Sequence, residues 1–394
     1  MNLLEQPDSQ LTPTSLTTDS HLALSLRPVL LCLSHLRWGF VYQRPQHVMS
    51  RLAKDYDVLF FEEPIHDANS VDWLELSQPA PGVTVLVPHV RGGLEPEQVN
   101  AAQRRLLDEH LAIQAPSQLL LWYLTPMSLD FTSHLAGQVT IFDCMDELSA
   151  FKGAPRELVE KERQLMDRAD VVFTGGYSLW EAKRKFHANA HAVPSSVDLD
   201  HFGTARQSLA EPAEPADQAN IPHPRLGFFG VIDERFDVEL VGELARQRPQ
   251  WQLVLIGPVV KIDPAMLPRY PNIHYLGGKD YSQLPAYLAG WDVALMPFAL
   301  NESTRFISPT KTPEYLAGGC AVVSTPITDV VRTYGDSGVV RIAASVDEFI
   351  AAIESILTED NDTAAFTQRI DKVLDGMSWD KTCAVMKEQI ECLR

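Results

Sequence analysis

Closely spaced cysteines, long apolar runs and a secretion signal are all missing from this 394-residue chain. Its five cysteines include no CxxC pair, so we expect buried free thiols in a reducing compartment. No apolar run approaches the roughly 18 residues that a membrane span requires. Residues 1–27 lack the basic start and the apolar segment of a signal peptide. We therefore expect a cytoplasmic protein with a flexible N-terminal tail over residues 1–27.

Positive charge is scarce as well. The chain has 33 Lys and Arg against 52 Asp and Glu, which gives a formal net charge of -19. A nucleic-acid-binding protein needs a basic surface to neutralise phosphates, so this charge excludes that class. No GxGxxG pattern follows the first strand-like run, which counts against a Rossmann dehydrogenase. The apolar share of 45% is that of an ordinary globular protein, and the length suggests two or three domains.

Strand-like and helix-like patterns alternate through the first half of the chain. The apolar runs that indicate strands lie at residues 29–33, 57–61, 83–87, 118–124, 138–142 and 171–174. These runs are continuously apolar, and helical patterns lie between several of them. Such a pattern is typical of a parallel sheet that is covered by helices on both faces.

Residues 203–224 break this alternation with a stretch rich in Ala, Glu and Pro, which predicts a linker. Alternation then resumes, with strand-like runs at residues 226–230, 251–256, 273–276, 293–296 and 321–324. We therefore predict an α/β protein with two Rossmann-like domains that face a central cleft. The N-terminal domain spans residues 28–202, the C-terminal domain spans residues 225–377, and residues 378–394 form a last helix.

The most informative motif is the block at residues 308–324, in which Ser308 and Pro309 open a short helix. Lys311 and Glu314 are three residues apart and share one face near the helix start. A helix N-terminus favours an anion, and Lys311 adds a full positive charge beside it. Glu314 offers two acceptor oxygens for a pair of sugar hydroxyls. The block therefore predicts a nucleotide-sugar site.

This block resembles the donor-binding motif of GT-B glycosyltransferases, in particular the group 1, family 4-like bacterial polysaccharide enzymes. The resemblance spans about residues 28–392. It implies a GT-B fold whose last helix crosses back to the first domain. It also implies a glycosyltransferase that uses no metal and no cofactor. The expected donor is a nucleoside diphosphate sugar, with UDP favoured and GDP open. The expected acceptor is a saccharide, a lipid-linked molecule or a small molecule in polysaccharide or glycoconjugate synthesis.

A loop in the second half follows the strand at residues 226–230. In the group 1 enzymes this loop gives backbone amides and a basic residue to the donor diphosphate. The resemblance assigns these roles to Gly230 and Arg235, beside Ser308 of the first motif. An arginine fork suits a diphosphate. The alternative is that Arg235 pairs with Asp233 or Asp237 on the surface.

The first half has its own polar loop, residues 34–47, between the first strand and a helix N-terminus. In an open α/β sheet ligands bind at this point. The loop is rich in hydrogen-bond donors, of which we select Arg37, Gln43, Arg44 and His47 as ligands of the acceptor or of the donor phosphate. The alternative is a solvated surface loop.

Three acidic residues follow the strand at residues 138–142, namely Asp143, Asp146 and Glu147. A carboxylate at this point can deprotonate an acceptor hydroxyl as it attacks a sugar. The segment resembles the part of xanthan-type glucuronosyltransferases that holds a catalytic aspartate. On that resemblance Asp146 is the base, and Asp143 lies nearer the strand interior. The alternative is an aspartate that caps the following turn.

One position departs from the group 1 pattern: Phe306 stands where relatives have a first glutamate, eight residues before Glu314. The sequence therefore leaves open whether the transfer retains or inverts the configuration at the anomeric carbon. Glu302 and Arg305 lie nearby in sequence and are the alternative residues for contact with the donor sugar. Two other functions stay open, a sugar-nucleotide epimerase of the same fold and a catalytically silent sugar-nucleotide-binding protein.

The basic run at residues 183–185 has two interpretations. Cations at the end of a helix complement the helix dipole. The same run would also serve as a basic patch for peripheral contact with the inner membrane face, since many relatives use lipid-linked acceptors.

Overall fold

The computed structural model describes residues 27–207, 214–358 and 363–394. Apart from Arg27, the predicted tail lies outside the described residues. The first sheet has nine strands, in the order β3-β5-β2-β1-β6-β7-β8-β9, with β4 paired to β5. They are β1 Val29–Leu33, β2 Asp57–Phe61, β3 Ile65–Ala68, β4 Trp73–Ala80, β5 Val83–Arg91, β6 Leu119–Tyr123, β7 Val139–Cys144, β8 Val171–Thr174 and β9 Ala190–Ala192.

The second sheet has six strands in the order β12-β11-β10-β13-β14-β15, and all of its pairs are parallel. They are β10 Arg225–Phe229, β11 Gln252–Ile256, β12 Ile273–Gly277, β13 Val293–Met296, β14 Val322–Ser324 and β15 Val340–Ile342. A side chain at Gly227 in β10 has no room, because its Cβ would lie 1.8 Å from Cδ2 of Trp291.

Helices cover both sheets. Those of the first half are α1 Arg44–Leu52, α2 Pro96–Gln114, α3 Leu129–Thr132, α4 Leu158–Arg168, α5 Tyr177–Lys183 and α6 Leu199–Gln207. Those that follow are α7 Val238–Gln247, α8 Leu284–Leu288, α9 Lys311–Ala317, α10 Thr328–Tyr334, α11 Val346–Thr358, α12 Thr363–Leu374 and α13 Trp379–Glu391. No helix of the described ranges has the length and apolarity that crossing a membrane requires.

Each sheet separates two apolar cores, as the continuous apolar runs predict. In β1, Leu30 and Cys32 face one core, whereas Leu31 and Leu33 face the other. This division follows from the strand geometry, since successive side chains point to opposite faces. The sheet therefore has no solvated face along β1, and the strand is buried throughout.

The chain crosses between the domains twice, and both crossings are short. Val193 lies in a core of the first sheet, whereas Val197 and the α6 residue Phe202 lie in a core of the second. This first crossing precedes the predicted linker at residues 203–224. On the return, Leu374 belongs to the second domain, and Trp379 at the start of α13 packs into the first. The last helix thus lies against the first domain, where it contacts α1.

The described part of the predicted linker is packed and does not form a loose spacer. Residues 203–207 belong to α6, residues 208–213 lie outside the described residues, and Gln218 is fully buried. The indole Nε1 of Trp291 donates to Oε1 of Gln218 at 2.9 Å, and Nε2 of Gln218 donates to the carbonyl of Tyr287 at 3.0 Å. A buried amide with both ends bonded fixes this segment on the second domain.

Candidate active site

A cavity of about 130 Å³ lies between the two domains, where β7 and β10 end at their carboxyl sides. Residues of both domains line it. Seven of the ten predicted site residues are among them: Gln43, Arg44, Asp146, Gly230, Arg235, Ser308 and Lys311. We call this space the catalytic cavity. Segments that are distant in sequence meet there because the carboxyl ends of parallel strands in facing sheets open to the same cleft.

Lys311 and Glu314 contact each other at the edge of this cavity. Nζ of Lys311 donates to Oε2 of Glu314 at 2.8 Å. The helix α9 begins at Lys311, three residues later than the sequence predicts, and the pair lies in its first turn. Burial raises the pKa of the Glu314 carboxyl, and the charge of Lys311 opposes that rise. Lys311 lines the cavity, whereas Glu314 is only 2% exposed and is not among the residues that line it.

Arg235 pairs with Asp233, as the alternative interpretation predicts, and it also lines the catalytic cavity. Its Nη2 donates to Oδ2 of Asp233 at 2.7 Å, and the buried Asp233 holds the guanidinium in place. The same guanidinium lines the catalytic cavity and lies 5.3 Å above the ring of Phe151, which belongs to the first domain. Arg235 therefore presents a positive charge to the cavity from an anchored position.

Asp146 and Asp143 have different surroundings. Asp146 lines the catalytic cavity, and burial raises the pKa of its carboxyl against the opposing charges of Arg235 and Arg44. Asp143 is buried in β7 and accepts from Nη2 of Arg44 at 2.7 Å. Arg44 also donates to the carbonyl of Val193 at 2.7 Å. A carboxyl with a raised pKa that faces the cavity suits a proton acceptor, whereas the Asp143–Arg44 pair holds the first crossing segment.

Two predicted residues of the polar loop lie outside the catalytic cavity. Nη1 of Arg37 donates to Oε2 of Glu62 at 2.9 Å, on the first domain. His47 is part of α1 and stacks on Trp379 of α13, with ring centroids 4.6 Å apart and planes 10° apart. Burial lowers the pKa of His47 to about 2, and the charges of Arg51 and Lys311 lower it further. The geometry gives His47 a packing role between the last helix and the first domain.

A larger adjoining cavity of about 580 Å³ shares Val41, Gly230 and Lys311 with the catalytic cavity. We call it the nucleotide cavity. Its walls include residues 38–42 of the first domain and residues 256–258 and 278–281 of the second.

Sequence reasoning did not select residues 256–258 and 278–281 of this cavity. The feature of the sequence that could have pointed to them is Gly257, directly after β11. Its φ is 146°, and a Cβ there would lie 1.8 Å from the carbonyl oxygen of Gly230. Only glycine permits this close approach of two strand ends.

Aromatic rings close the nucleotide cavity on one side and join the two domains. Tyr42 of the first domain stacks on Tyr281 of the second, with centroids 4.6 Å apart. His201 also stacks on Tyr281, with centroids 4.2 Å apart. Tyr42 and Tyr281 therefore form one wall across the cleft, and His201 supports Tyr281.

Phe306, Glu302 and Arg305 do not line the catalytic cavity. Phe306 packs against a core of the first domain, and the guanidinium of Arg305 lies 5.1 Å above its ring. Glu302 and Arg305 are exposed and 3.8 Å apart, and neither lines the catalytic or the nucleotide cavity. Phe306 thus serves the contact between domains.

The basic run at residues 183–185 is only partly available to a surface. Lys183 is buried, and its Nζ lies 2.6 Å from Oε2 of Glu147 and also pairs with Glu162. Arg184 lies over the ring of Trp180 at 4.4 Å. Lys183 therefore belongs to an internal ion-pair cluster and cannot serve in a membrane-facing patch.

The cysteines of the described residues are free thiols, and no candidate metal site lies among these residues. Cys32, Cys144, Cys320 and Cys383 are buried free thiols, and Cys392 is an exposed one. Within residues 27–207, 214–358 and 363–394, His, Cys, Asp and Glu form no group of three or more that could hold a metal ion.

Comparison with known proteins agrees with this geometry. Residues 223–375 match the family model described as "Glycosyl transferases group 1". Over 276 residues the chain is 27% identical to the "Putative teichuronic acid biosynthesis glycosyltransferase TuaH" of Bacillus subtilis (strain 168), a match that covers 65% of this chain and 68% of that protein.

Solved structures match nearly the whole chain. A sucrose-phosphate synthase from Thermosynechococcus elongatus has a TM-score of 0.70 at 15% identity, over 93% of this chain and 99% of its own. The catalytic domain of starch synthase IV from Arabidopsis thaliana, bound to ADP and acarbose, has a TM-score of 0.65 at 11% identity, over 93% and 99%. "Trehalose-6-phosphate from E. coli bound with UDP-2-fluoro glucose" has a TM-score of 0.65 at 13% identity, over 92% and 98%.

At these identities the likeness to solved structures shows the fold alone, and it confirms the predicted GT-B architecture. The family model and the Bacillus subtilis relative supply the rest. The chain has the GT-B fold, and its second half matches the model of the group 1 glycosyltransferases.

Proposed function

We propose that the chain transfers a sugar from a nucleoside diphosphate sugar to a hydroxyl of a saccharide acceptor, free or lipid-linked, in the synthesis of a cell-surface polysaccharide or glycoconjugate. A nucleotide-sugar donor and a saccharide acceptor follow from the family. The observation that carries the proposal is the catalytic cavity, to which both domains contribute predicted site residues. The name of the Bacillus subtilis relative, which refers to teichuronic acid biosynthesis, supports a polysaccharide product.

The donor lies across the two adjoining cavities in this proposal. The nucleotide cavity, at about 580 Å³, falls in the roughly 300–1,000 Å³ range of small-molecule sites. Lys311 lines both cavities and Arg235 lines the catalytic one, so their charges face the diphosphate at the junction. Ser308 and the backbone of Gly230 add polar contacts there. Glu314 binds the ribose hydroxyls once Lys311 turns to the phosphate.

Uridine diphosphate is the nucleotide that we favour, with guanosine diphosphate as the second candidate. One structure of the same fold has UDP-2-fluoro glucose bound, and another has ADP and acarbose bound. These ligands are bound by the related proteins. They support a nucleoside diphosphate as the class of ligand for this chain, and the identity of the base has to be measured.

Asp146 is the proposed base. It takes the proton of the acceptor hydroxyl as that oxygen forms a bond to the anomeric carbon. The bond between the anomeric carbon and the diphosphate oxygen breaks in the same step, and the departing charge is stabilised by Arg235 and Lys311. Two fixed cations at this point support a reaction without a metal ion. A single displacement of this kind inverts the anomeric configuration, which a proton NMR spectrum of the product tests directly.

The acceptor enters beside α1 in this proposal. Gln43 and Arg44, at the start of that helix, line the catalytic cavity together with Asp146. Because Arg44 is already bound to Asp143, Gln43 is the residue of the pair that we assign to an acceptor hydroxyl.

An epimerase of the same fold is less well supported. It needs additional acid and base groups at the anomeric centre, whereas Asp146 is the one carboxylate among the described residues that line the catalytic cavity. A silent binding protein would hold the nucleotide sugar without turnover. Measurement of transfer separates it from the enzyme.

The experiment that tests the proposal is incubation of the protein with UDP-, GDP- and dTDP-sugars, followed by thermal shift and by release of nucleotide. A ligand that binds the folded state raises the melting temperature, by an amount that grows with the logarithm of its excess over the dissociation constant. We expect one nucleotide series to raise the melting temperature, and its sugar donor to be consumed when an acceptor is present. If no series binds, the proposal is wrong.

A further inference from the structure

A third cavity, with a volume of about 520 Å³, lies on the first domain beside the N-terminal half of α2. We call it the α2 cavity. Ser34, Glu62 and Thr125, which follow the carboxyl ends of β1, β2 and β6, line it. Because β2 and β6 lie on opposite sides of β1, the cavity is at the point where the strand order reverses, and ligands of open α/β sheets bind at such points. No described residue lines both this cavity and the catalytic or the nucleotide cavity.

A glutamine stands on the buried face of α2, which is otherwise apolar. The buried residues of this helix are Ala102, Gln103, Leu106, Leu107 and Leu111. Gln103 is only 5% exposed, and its side-chain amide makes no hydrogen bond to a described residue. The amide atoms are not among the enclosed side-chain atoms that lack a partner. The small accessible part of Gln103 therefore includes its amide, at the cavity that this residue lines.

Two neighbours of Gln103 in the α2 cavity have the same property. Ser128 directly precedes α3, yet its side chain makes no capping bond and no other hydrogen bond within the described residues, and the residue is 6% exposed. Asn100, three positions before Gln103 on α2, is half-buried, and its side-chain amide is also without a hydrogen bond there. Buried polar groups are nearly always hydrogen-bonded, so this group of open polar atoms indicates a ligand that supplies the missing bonds.

The chemistry of these groups fits neighbouring hydroxyls. A primary amide accepts through its oxygen and donates through its nitrogen, so Gln103 can bind two adjacent hydroxyls of one sugar ring. Pro64, Leu94 and Met127 add aliphatic and thioether surface for the C–H faces of such a ring. The volume falls within the roughly 300–1,000 Å³ of small-molecule sites, which combine apolar walls with a few polar groups.

Charge narrows the class of ligand further. Glu62, Glu63 and Asp130 line the α2 cavity, and no lysine or arginine of the described residues does, so phosphate and carboxylate groups are repelled. We propose that the α2 cavity is a saccharide site of the first domain, which binds one uncharged sugar unit through the amide of Gln103. This binding requires no nucleotide and does not depend on the proposed transfer reaction.

The test is a ligand-observed NMR titration of the full chain, without nucleotide. The probes are methyl glucoside, methyl galactoside, methyl N-acetylglucosaminide and, as the anionic counterpart, methyl glucuronide. We expect at least one uncharged sugar to bind the wild type and the glucuronide not to bind. Gln103→Leu should lower the affinity for that sugar at least about 5-fold, through the loss of its hydrogen bonds. Gln114→Leu is the matched control, because it is the same change on the same helix outside the cavity, and it should bind as the wild type does.

The stability of Gln103→Leu separates a binding role from a structural one. An amide without a partner in the protein stabilises nothing there, so without sugar the variant should melt at the temperature of the wild type or above it. A lower melting temperature would show that the amide is bonded within the protein and would contradict the proposal.

Two further variants complete the test. Ser128→Ala should lower the affinity for the sugar roughly 2–10-fold, the effect of one hydrogen bond. The double variant Lys311→Met with Glu314→Gln disables the proposed donor site and should bind the sugar as the wild type does, so a failure of the proposed function leaves this result unchanged. If no uncharged sugar binds, if the glucuronide binds equally well, or if Gln103→Leu and Ser128→Ala both bind as the wild type does, the α2 cavity is not a saccharide site.

Discussion

Nζ of Lys311 lies 2.8 Å from Oε2 of Glu314, and the carboxylate of this pair is almost completely buried. Sequence reasoning gives the two residues separate tasks, with the diphosphate for Lys311 and the ribose for Glu314. In the structure the two side chains pair with each other. Under the proposed function, donor binding would exchange this ion pair for two new contacts, and the affinity would measure the difference between them.

Lys311→Ala is expected to weaken binding of the nucleotide sugar, because a cationic contact to the diphosphate is lost. It should also lower the melting temperature. Removal of one partner of a buried ion pair leaves an uncompensated charge, at a cost of about 3–5 kcal/mol. Calorimetric titration measures the first effect, and a thermal melt measures the second.

The double variant Lys311→Met with Glu314→Gln separates these two effects. It removes both charges at once, so the melting temperature should return towards that of the wild type while the donor affinity stays low. Glu314→Gln alone should cost about 1.5–3 kcal/mol of donor affinity, the range for a hydrogen bond to a charged group. Unchanged donor affinity in the double variant would show that Lys311 and Glu314 do not bind the nucleotide.

Asp146→Asn should leave the donor affinity nearly intact and lower the rate of transfer by roughly 10²–10⁴-fold, because only the proton acceptor is removed. Steady-state kinetics and a donor titration measure the two quantities. The wild-type rate should fall as the pH is lowered through the raised pKa of Asp146, since the base must be ionised to act. Transfer at the wild-type rate in Asp146→Asn would remove this residue from the mechanism.

Asp143→Asn is the matched control for Asp146→Asn. Asp143 is buried and holds Arg44 at 2.7 Å, so the substitution should lower the melting temperature. Any loss of transfer should accompany this loss of stability. A stable Asp143→Asn protein that has lost transfer would move the role of base to Asp143.

Gln43→Ala tests the acceptor side. Gln43 lines the catalytic cavity, so its loss should raise the Michaelis constant for the acceptor and leave the dissociation constant for the nucleotide unchanged. Arg37→Ala is the comparison, because Arg37 is bound to Glu62 outside that cavity and should change neither constant. Weaker nucleotide binding in Gln43→Ala would place the donor phosphate at this loop.

His47→Phe should flatten the pH dependence of stability on the acid side. The pKa of His47 is about 2 in the folded protein against 6.5 as its ordinary value, so the unfolded chain binds more protons between these two values. Between pH 7 and pH 5 this difference costs the wild type about 2 kcal/mol of unfolding free energy. Urea melts at the two pH values measure it. An equal pH dependence in His47→Phe would contradict the buried, neutral imidazole.

Phenylalanine is the suitable replacement because His47 stacks on Trp379, and the new ring keeps that contact. Some acid sensitivity should remain in the variant, since burial also lowers the pKa of His35, to about 4.

The strands that the sequence predicts best are those with continuous apolar runs. The bounds of Val29–Leu33, Asp57–Phe61, Val171–Thr174 and Val293–Met296 agree with prediction at both ends. The strands β3 and β4 are absent from the prediction because they are largely exposed and interrupted by polar residues. Exposed edge strands have no core to impose an apolar pattern, so their sequence resembles that of a loop.

Of the candidate site, too, one part is predicted from the sequence and another part is shown only by the fold. The block around Lys311 and Glu314 is local in sequence, so its chemistry is visible without a structure. The pairing of Arg44 with Asp143 joins residues 99 positions apart, and only the fold shows that this arginine is already bound. Besides Gly230 and Lys311, the nucleotide cavity draws its walls from separate segments such as residues 38–42, 256–258 and 278–281, and the two second-domain segments are not distinctive alone. Local motifs indicate which side chains could bind a ligand. The fold determines which of these side chains are instead paired within the protein.

A crystal structure with the tightest-binding nucleoside diphosphate tests the central claim most directly. We predict that the diphosphate lies against Lys311 and Arg235, with the nucleoside in the nucleotide cavity and the terminal phosphate open to the catalytic cavity, towards Asp146. Density for the diphosphate away from both cations, or in a cavity that Asp146 does not line, would contradict the proposed transfer reaction.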